Sequence, residues 1–127
     1  MKPGATGIRR IINASYYSWL GLKAAWKSEA ALRQEIVALI ILLPLAFLMP
    51  LSPIEKALLA FSGLLVLLVE LINSALEAVV DRIGPEQHPL SGKAKDIGST
   101  AVALALIMCA LVWGIILLPL LTAQLSS

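Results

Sequence analysis

The chain has 127 residues, of which 59% are hydrophobic and only 14% charged, and its mean hydropathy is +0.89. A water-soluble domain of this size exposes much of its surface and needs more charge, so the composition predicts a single membrane domain, residues 1–127. The net charge of +2 gives no support for nucleic-acid binding, and Cys109 has no second cysteine with which to form a disulfide.

The N-terminal segment, about residues 6–28, carries apolar and aromatic residues at helical spacing. They are Ile8, Ile12, Trp19, Leu22 and Trp26, and they lie opposite Arg9, Lys23 and Lys27. This pattern is typical of an amphipathic helix that lies in the membrane interface. Its aromatic residues suit the headgroup level, as does Trp113 further along the chain. The segment lacks the short apolar core and small-residue cleavage site of a signal peptide.

Three apolar segments follow, and each is predicted to cross the membrane as a helix. They span about residues 29–49, 54–83 and 91–121. Pro44 is expected to kink the first span, and Pro50 and Pro53 indicate a tight turn after it. Gly84 and Pro85 end the second span. The predicted fold class is therefore an all-α membrane protein, with an N-terminal amphipathic interfacial helix and three transmembrane helices.

The distribution of basic residues predicts how the spans are oriented. Nine of the ten Lys and Arg residues precede the first span or flank the loop over residues 82–96, whereas Lys56 alone lies by the first turn. Because basic loops stay in the cytoplasm, we expect the N-terminus and the 82–96 loop to be cytoplasmic. The C-terminus is then on the opposite, periplasmic side.

The second span contains polar residues that a bilayer should not tolerate without a reason. We call them the polar stripe: Glu70, Asn73, Ser74, Glu77 and Asp81. Their offsets place them on one helical face. A carboxylate at the centre of a span costs at least about 2.5–3.5 kcal/mol, so a stripe of them indicates a functional site. The structural alternative is hydrogen bonding between helices, or ion pairing with Arg33 or Lys95.

Spacing within the polar stripe favours separate roles for its two glutamates. Glu70 and Glu77 are two turns, about 10 Å, apart and cannot easily share one ion. Glu77 is nearer the cytoplasm, and Glu29 is expected at a similar depth, so this pair suits Mg²⁺, which takes oxygen ligands and keeps several waters. Glu70 is deeper, where the hydroxyl group of a lipid would lie.

Further polar candidates lie in the second loop and at the start of the third span. They are Glu86, His88, Lys95 and Asp96. Lys95 near a helix N-terminus would favour an anion, although it also fits an ordinary positive-inside residue. His88 also fits a solvated loop histidine, and no second histidine is present for a zinc site. The sequence contains neither a glycine-rich phosphate loop nor the motifs of protein kinases.

The segment from Glu70 to Arg82 reads Glu-Leu-Ile-Asn-Ser-Ala-Leu-Glu-Ala-Val-Val-Asp-Arg. It resembles the signature of the bacterial integral-membrane diacylglycerol kinases. The similarity extends to residues 94–99, Ala-Lys-Asp-Ile-Gly-Ser, and to residues 29–35, Glu-Ala-Ala-Leu-Arg-Gln-Glu. It also includes the aromatic segment over residues 19–26. Together with the three-span layout, the resemblance covers about residues 7–118.

The resemblance implies a homotrimer in the bacterial inner membrane, with active sites shared between protomers. The implied reaction is the phosphorylation of diacylglycerol to phosphatidic acid in phospholipid recycling, with ATP as co-substrate and Mg²⁺ as cofactor. By position, Glu70 would accept the proton, Asn73 would support the catalytic face, and Glu29 and Glu77 would bind the metal and meet the nucleotide. The other implied nucleotide contacts are Arg10, Tyr17, Glu86, His88, Lys95 and Asp96. The implied lipid contacts are Arg33, Glu35, Glu70, Ser99 and Trp113.

Two positions depart from the family pattern. Leu48 stands where some members have tryptophan, and Tyr16 stands where others have a small residue, so acyl-chain preference is open. A sister branch of the family phosphorylates undecaprenol, and the long amphipathic N-terminal segment resembles the diacylglycerol branch more.

The rival classes are a small ion- or proton-conducting subunit and a structural scaffold. The ion-conducting class predicts carboxylates across the full membrane depth, whereas the third span has none after Asp96.

Overall fold

The computed structural model describes residue 4, residues 6–84 and residues 88–126, and the regular structure in these parts is entirely helical. Four helices follow one another along the chain: α1 (Gly7–Ser28), α2 (Ala30–Leu48), α3 (Pro53–Ile83) and α4 (Pro89–Leu125). The last three are long and apolar enough to cross a membrane. The structure thus confirms the predicted all-α fold with three long apolar helices.

The chain changes direction between α1 and α2 at Glu29. This residue has an extended backbone (φ −121°, ψ 108°), and its N–H donates to the carbonyl of Ala25. Nη1 of Arg33 then donates to the carbonyl oxygens of Trp26 at 2.6 Å and Lys27 at 3.3 Å. A cation at the C-terminal end of a helix satisfies carbonyls that lack partners and complements the helix dipole. Arg33 therefore joins α2 to the end of α1.

The turn between α2 and α3 occupies residues 49–52. Pro44 lies inside α2, which the structure describes as one helix. Ser52 and Glu55 form a capping box, in which Oγ of Ser52 accepts from the N–H of Glu55 at 3.2 Å and Oε1 of Glu55 accepts from the N–H of Ser52 at 2.9 Å. Pro53 occupies the first turn, where its missing N–H costs nothing. These local contacts fix the start of α3 and hence its register.

The most extensive helix interface is between α3 and α4. Nε1 of Trp113 donates to the carbonyl of Leu59 at 3.2 Å and to Oγ of Ser62 at 3.1 Å. Ser62 is only 4% exposed. The polar edge of the Trp113 indole thus faces α3, a contact that the sequence did not predict. In an apolar interface, an indole N–H is stabilised by a hydrogen bond to an acceptor on the neighbouring helix.

The core of a single chain is small. Leu32, Leu59 and Val66 are fully buried, and α2 approaches α3 closely at Gly63, where a Cβ atom would meet the side chain of Leu39. Large apolar side chains on the other faces remain exposed, including Ile115 at 71%. Such surfaces are stable against lipid, whose tails are as apolar as these side chains.

Candidate functional site

The polar stripe runs along the second half of α3 and is partly buried by the neighbouring helices. Glu70, Asn73, Ser74 and Glu77 are half-buried, whereas Asp81 is exposed. The regular helix from Pro53 to Ile83 keeps all five on one face, because residues at offsets of three, four and seven positions align along a helix. The stripe therefore forms one continuous polar surface.

Glu70 lies among other carboxylates. It interacts electrostatically with Glu29, at the junction of α1 and α2, and with Glu35 on α2. The sequence analysis placed Glu29 at the depth of Glu77, so its interaction with Glu70 is a finding of the tertiary structure. Like charges at this depth are costly unless a proton or a cation neutralises them. This part of the site is therefore suited to binding cations or accepting protons.

Glu77 is held by its neighbour on the same helix. Nδ2 of Asn73 donates to Oε1 of Glu77 at 3.1 Å. The other end of the amide, Oδ1 of Asn73, is buried and has no hydrogen-bond partner in the part of the chain that the structure describes. One side of the Asn73 side chain therefore orients a carboxylate, and the other side packs against α4.

Lys95 lies beside Asp81, at the C-terminal end of the polar stripe. Its Nζ is 2.6 Å from Oδ1 of Asp81, and the two side chains are 45% and 64% exposed. Lys95 also interacts electrostatically with Glu77. The alternative of ion pairing between the stripe and Lys95 is thus borne out for Asp81. Because an exposed ion pair is screened by water, Lys95 can exchange this partner for another anion.

The other predicted site residues are more scattered. Nδ1 of His88 accepts from the N–H of Leu90 at 3.0 Å, so His88 caps the start of α4. Arg10 is exposed on α1, and Tyr17 is half-buried with its ring edge against Tyr16. Asp96 and Ser99 are exposed on the N-terminal part of α4. Glu86 lies outside the described residues.

A cleft of about 530 Å³ lies between α1 and the face of α3 that carries Ser74. Apart from Leu22 and Leu71, its walls are small residues, which include Ser18, Gly21, Ala25, Ser28, Ser74 and Ala78. Sequence analysis did not identify this cleft. The run of small residues on one side of α1 could have indicated it, but the sequence analysis considered only the aromatic, apolar and basic residues of this helix. The cleft leaves open space next to the polar stripe.

The described residues offer metal ligands only in small sets. Within residues 4, 6–84 and 88–126, no group of three or more His, Cys, Asp or Glu side chains could hold a metal ion. Mg²⁺ is commonly held by one or two carboxylates together with phosphate oxygens and waters. Glu29 and Glu77 could each offer one such carboxylate.

Comparison with known proteins identifies the family of this chain. The family model "Prokaryotic diacylglycerol kinase" matches residues 16–117. A diacylglycerol kinase of Escherichia coli (strain K12) is 51% identical over 92% of this chain and 96% of its own length. One from Pseudomonas aeruginosa is 50% identical over 91% and 94%, and one from Helicobacter pylori (strain J99) is 42% identical over 93% and 92%. This chain therefore belongs to the prokaryotic diacylglycerol kinase family, a family of lipid kinases.

Proposed function

We propose that this chain transfers the γ-phosphoryl group of ATP to the primary hydroxyl of diacylglycerol, in a Mg²⁺-dependent reaction that gives phosphatidic acid for phospholipid recycling. One observation carries the proposal. In a chain of this family, Glu70 lies on a helix long and apolar enough to span a membrane, and it interacts electrostatically with two carboxylates outside that helix, Glu29 and Glu35. Carboxylates are kept at such a depth only where a proton or a cation is handled.

The residues divide the chemistry between them. Glu70 accepts the proton of the lipid hydroxyl, whose oxygen forms a bond to the γ-phosphorus as the bond to the bridging oxygen of ADP breaks. Glu29 and Glu77 would hold Mg²⁺, which neutralises the charge of the triphosphate when bound. Lys95 adds positive charge beside Glu77, and Asn73 orients the Glu77 carboxylate. Helix α1 lies along the interface and excludes water from the reacting phosphate.

The remaining residues serve recognition in this proposal. The nucleotide contacts are Arg10, Tyr17, Glu86, His88, Lys95 and Asp96. The lipid contacts are Arg33, Glu35, Ser99 and Trp113. Trp113 already uses its single N–H group within the chain, so it would offer the lipid the apolar part of its ring, whereas Arg33 donates only through Nη1 and keeps other N–H groups for a polar headgroup. The resemblance to the prokaryotic diacylglycerol kinases further implies that the chain acts as a homotrimer, and the large apolar side chains that a single chain leaves exposed can contact either lipid or another copy.

A kinase assay on the purified protein in detergent tests the proposal. With ATP, Mg²⁺ and a diacylglycerol, we expect labelled phosphate from γ-labelled ATP to appear in phosphatidic acid. Undecaprenol, offered in a parallel reaction, should be phosphorylated much more slowly. Preferential labelling of undecaprenol would assign the chain to the sister activity. Ion or proton flux through protein-containing vesicles without any lipid phosphorylation would support the ion-conducting alternative instead.

We also propose a bacterial inner-membrane location with a cytoplasmic N-terminus and a periplasmic C-terminus, on the basis of the nine-to-one distribution of Lys and Arg. Alkaline phosphatase, which is active only in the periplasm, should be active when it is fused after Ser127. Green fluorescent protein at the same position should stay dark when it is exported unfolded. Fluorescence from the second fusion together with an inactive first fusion would contradict the three-span topology.

A further inference from the structure

Gly98 is buried where α4 crosses the polar stripe of α3. A Cβ atom at this position would overlap Oδ1 of Asn73 and would lie 3.2 Å from both Cγ of Asn73 and Cδ2 of Leu76. The end of the Leu76 side chain can turn away, but the Asn73 amide is fixed at its other end by the bond to Glu77. Any side chain at position 98 must therefore displace Asn73.

The orientation of the Asn73 amide follows from its neighbours. An ionised carboxylate only accepts hydrogen bonds, so the NH₂ group of Asn73 must face Glu77. Oδ1 then faces Gly98, and no hydrogen-bond donor reaches it within the described residues. In glycine a Cα hydrogen takes the place of the Cβ atom, so the group nearest to Oδ1 is a C–H, which offers at most a weak hydrogen bond.

We propose that Gly98 is a positioning residue for the carboxylate of Glu77. The absence of a side chain at position 98 allows the Asn73 amide to pack against α4, and in this position its NH₂ group holds Oε1 of Glu77. The proposal rests on the proposed function, in which Glu77 binds the Mg²⁺ of the nucleotide. Gly98 contacts neither substrate in this role and acts only through Asn73.

Replacing Gly98 by alanine is therefore expected to weaken binding of the metal–nucleotide complex. Hydrogen-bond partners that orient a metal ligand typically change metal affinity by about 10–100-fold. For Gly98→Ala we expect the dissociation constant of the Mg²⁺ complex of a non-hydrolysable ATP analogue to rise about tenfold, towards the lower end of that range. The Mg²⁺ concentration for half-maximal activity should rise in parallel, while kcat at saturating Mg²⁺ changes less.

Isothermal titration calorimetry on the full-length protein in detergent measures this dissociation constant without turnover. Gly92→Ala and Gly114→Ala are matched controls, because they make the same change on the same helix at positions where a Cβ atom meets nothing within 4 Å. Both controls should bind the complex like the wild type. A Gly98→Ala variant that binds as they do would refute the positioning role.

A double-mutant cycle with Asn73→Ala separates this role from a general packing defect. Once the Asn73 amide is absent, Gly98→Ala has only the flexible end of the Leu76 side chain to move aside and should raise the dissociation constant by less than about twofold. Fully additive effects would overturn the proposal. If Gly98→Ala alone does not fold, the double variant should recover folding because space for the Cβ atom is then free, and failure to recover would also overturn it.

The same experiments separate failure of this inference from failure of the proposed function. A wild-type protein that binds the metal–nucleotide complex but phosphorylates no diacylglycerol would contradict the proposed substrate, and the Gly98 comparison would still be decided by calorimetry. Conversely, normal kinase activity with additive effects in the cycle would leave the proposed function intact and remove Gly98 from it.

Discussion

Replacing Glu70 by glutamine is expected to lower kcat by about 10²–10⁴-fold, because glutamine keeps the size of the side chain but cannot accept the proton of the lipid hydroxyl. This loss corresponds to about 2.7–5.5 kcal/mol of transition-state stabilisation. Binding of the Mg–nucleotide complex should stay close to wild type. The measurements are kcat with diacylglycerol and calorimetric nucleotide affinity, made on the same preparation in detergent.

Stability provides an independent check on the Glu70 variant. Glu70 interacts with two like-charged residues, Glu29 and Glu35, so removing its charge should relieve repulsion and raise the thermal unfolding temperature slightly. Glu55→Gln is the matched control, because it makes the same change on the same helix and glutamine still completes the capping box at that position. The control should keep full kcat. A Glu70→Gln variant that loses nucleotide affinity but keeps kcat would contradict the assignment of Glu70 as the base.

Replacing Glu77 by glutamine is expected to weaken binding of the Mg–nucleotide complex by at least about tenfold, since even an outer partner of a metal ligand is worth that much. Glutamine retains a side-chain carbonyl that can accept the hydrogen bond from Asn73, so the geometry is kept and only the anionic ligand is lost. High Mg²⁺ concentrations should restore part of the activity. Calorimetry and the Mg²⁺ dependence of the rate measure the two effects.

Glu29→Gln should behave like Glu77→Gln if both carboxylates bind the metal. The junction between α1 and α2 should survive the change, because the Glu29 backbone N–H makes the cap and the side chain makes no capping hydrogen bond. Glu55→Gln again serves as the control. If either variant binds the Mg–nucleotide complex with wild-type affinity, that residue is not a metal ligand.

Much of the fold follows from local features of the sequence. A bilayer requires about 20 apolar residues per helical crossing, so the apolar runs alone identify the three long helices. Helical periodicity likewise places Glu70, Asn73 and Glu77 on one face of α3, because that relation depends on spacing within a single helix. The family signature over the same residues identifies the kinase family without any tertiary contact.

Relations between helices could not be derived in this way. For three residues the sequence did not indicate the partner. Arg33 binds the end of α1, Trp113 binds Ser62 on α3, and Gly98 packs against Asn73 on α3. Each pair joins residues on different helices. Which residues meet depends on how the helices pack against one another and on where small residues let two helices approach closely.

The sequence by itself thus determined which segments are helices, which face of α3 is polar and to which family the chain belongs. Only the tertiary structure brought Glu29 within electrostatic range of Glu70, paired Lys95 with Asp81 and packed Gly98 against the amide that holds Glu77. The physical reason is that periodicity within a helix is set by its own backbone, whereas the meeting of two helices is set by the packing of side chains distant in sequence.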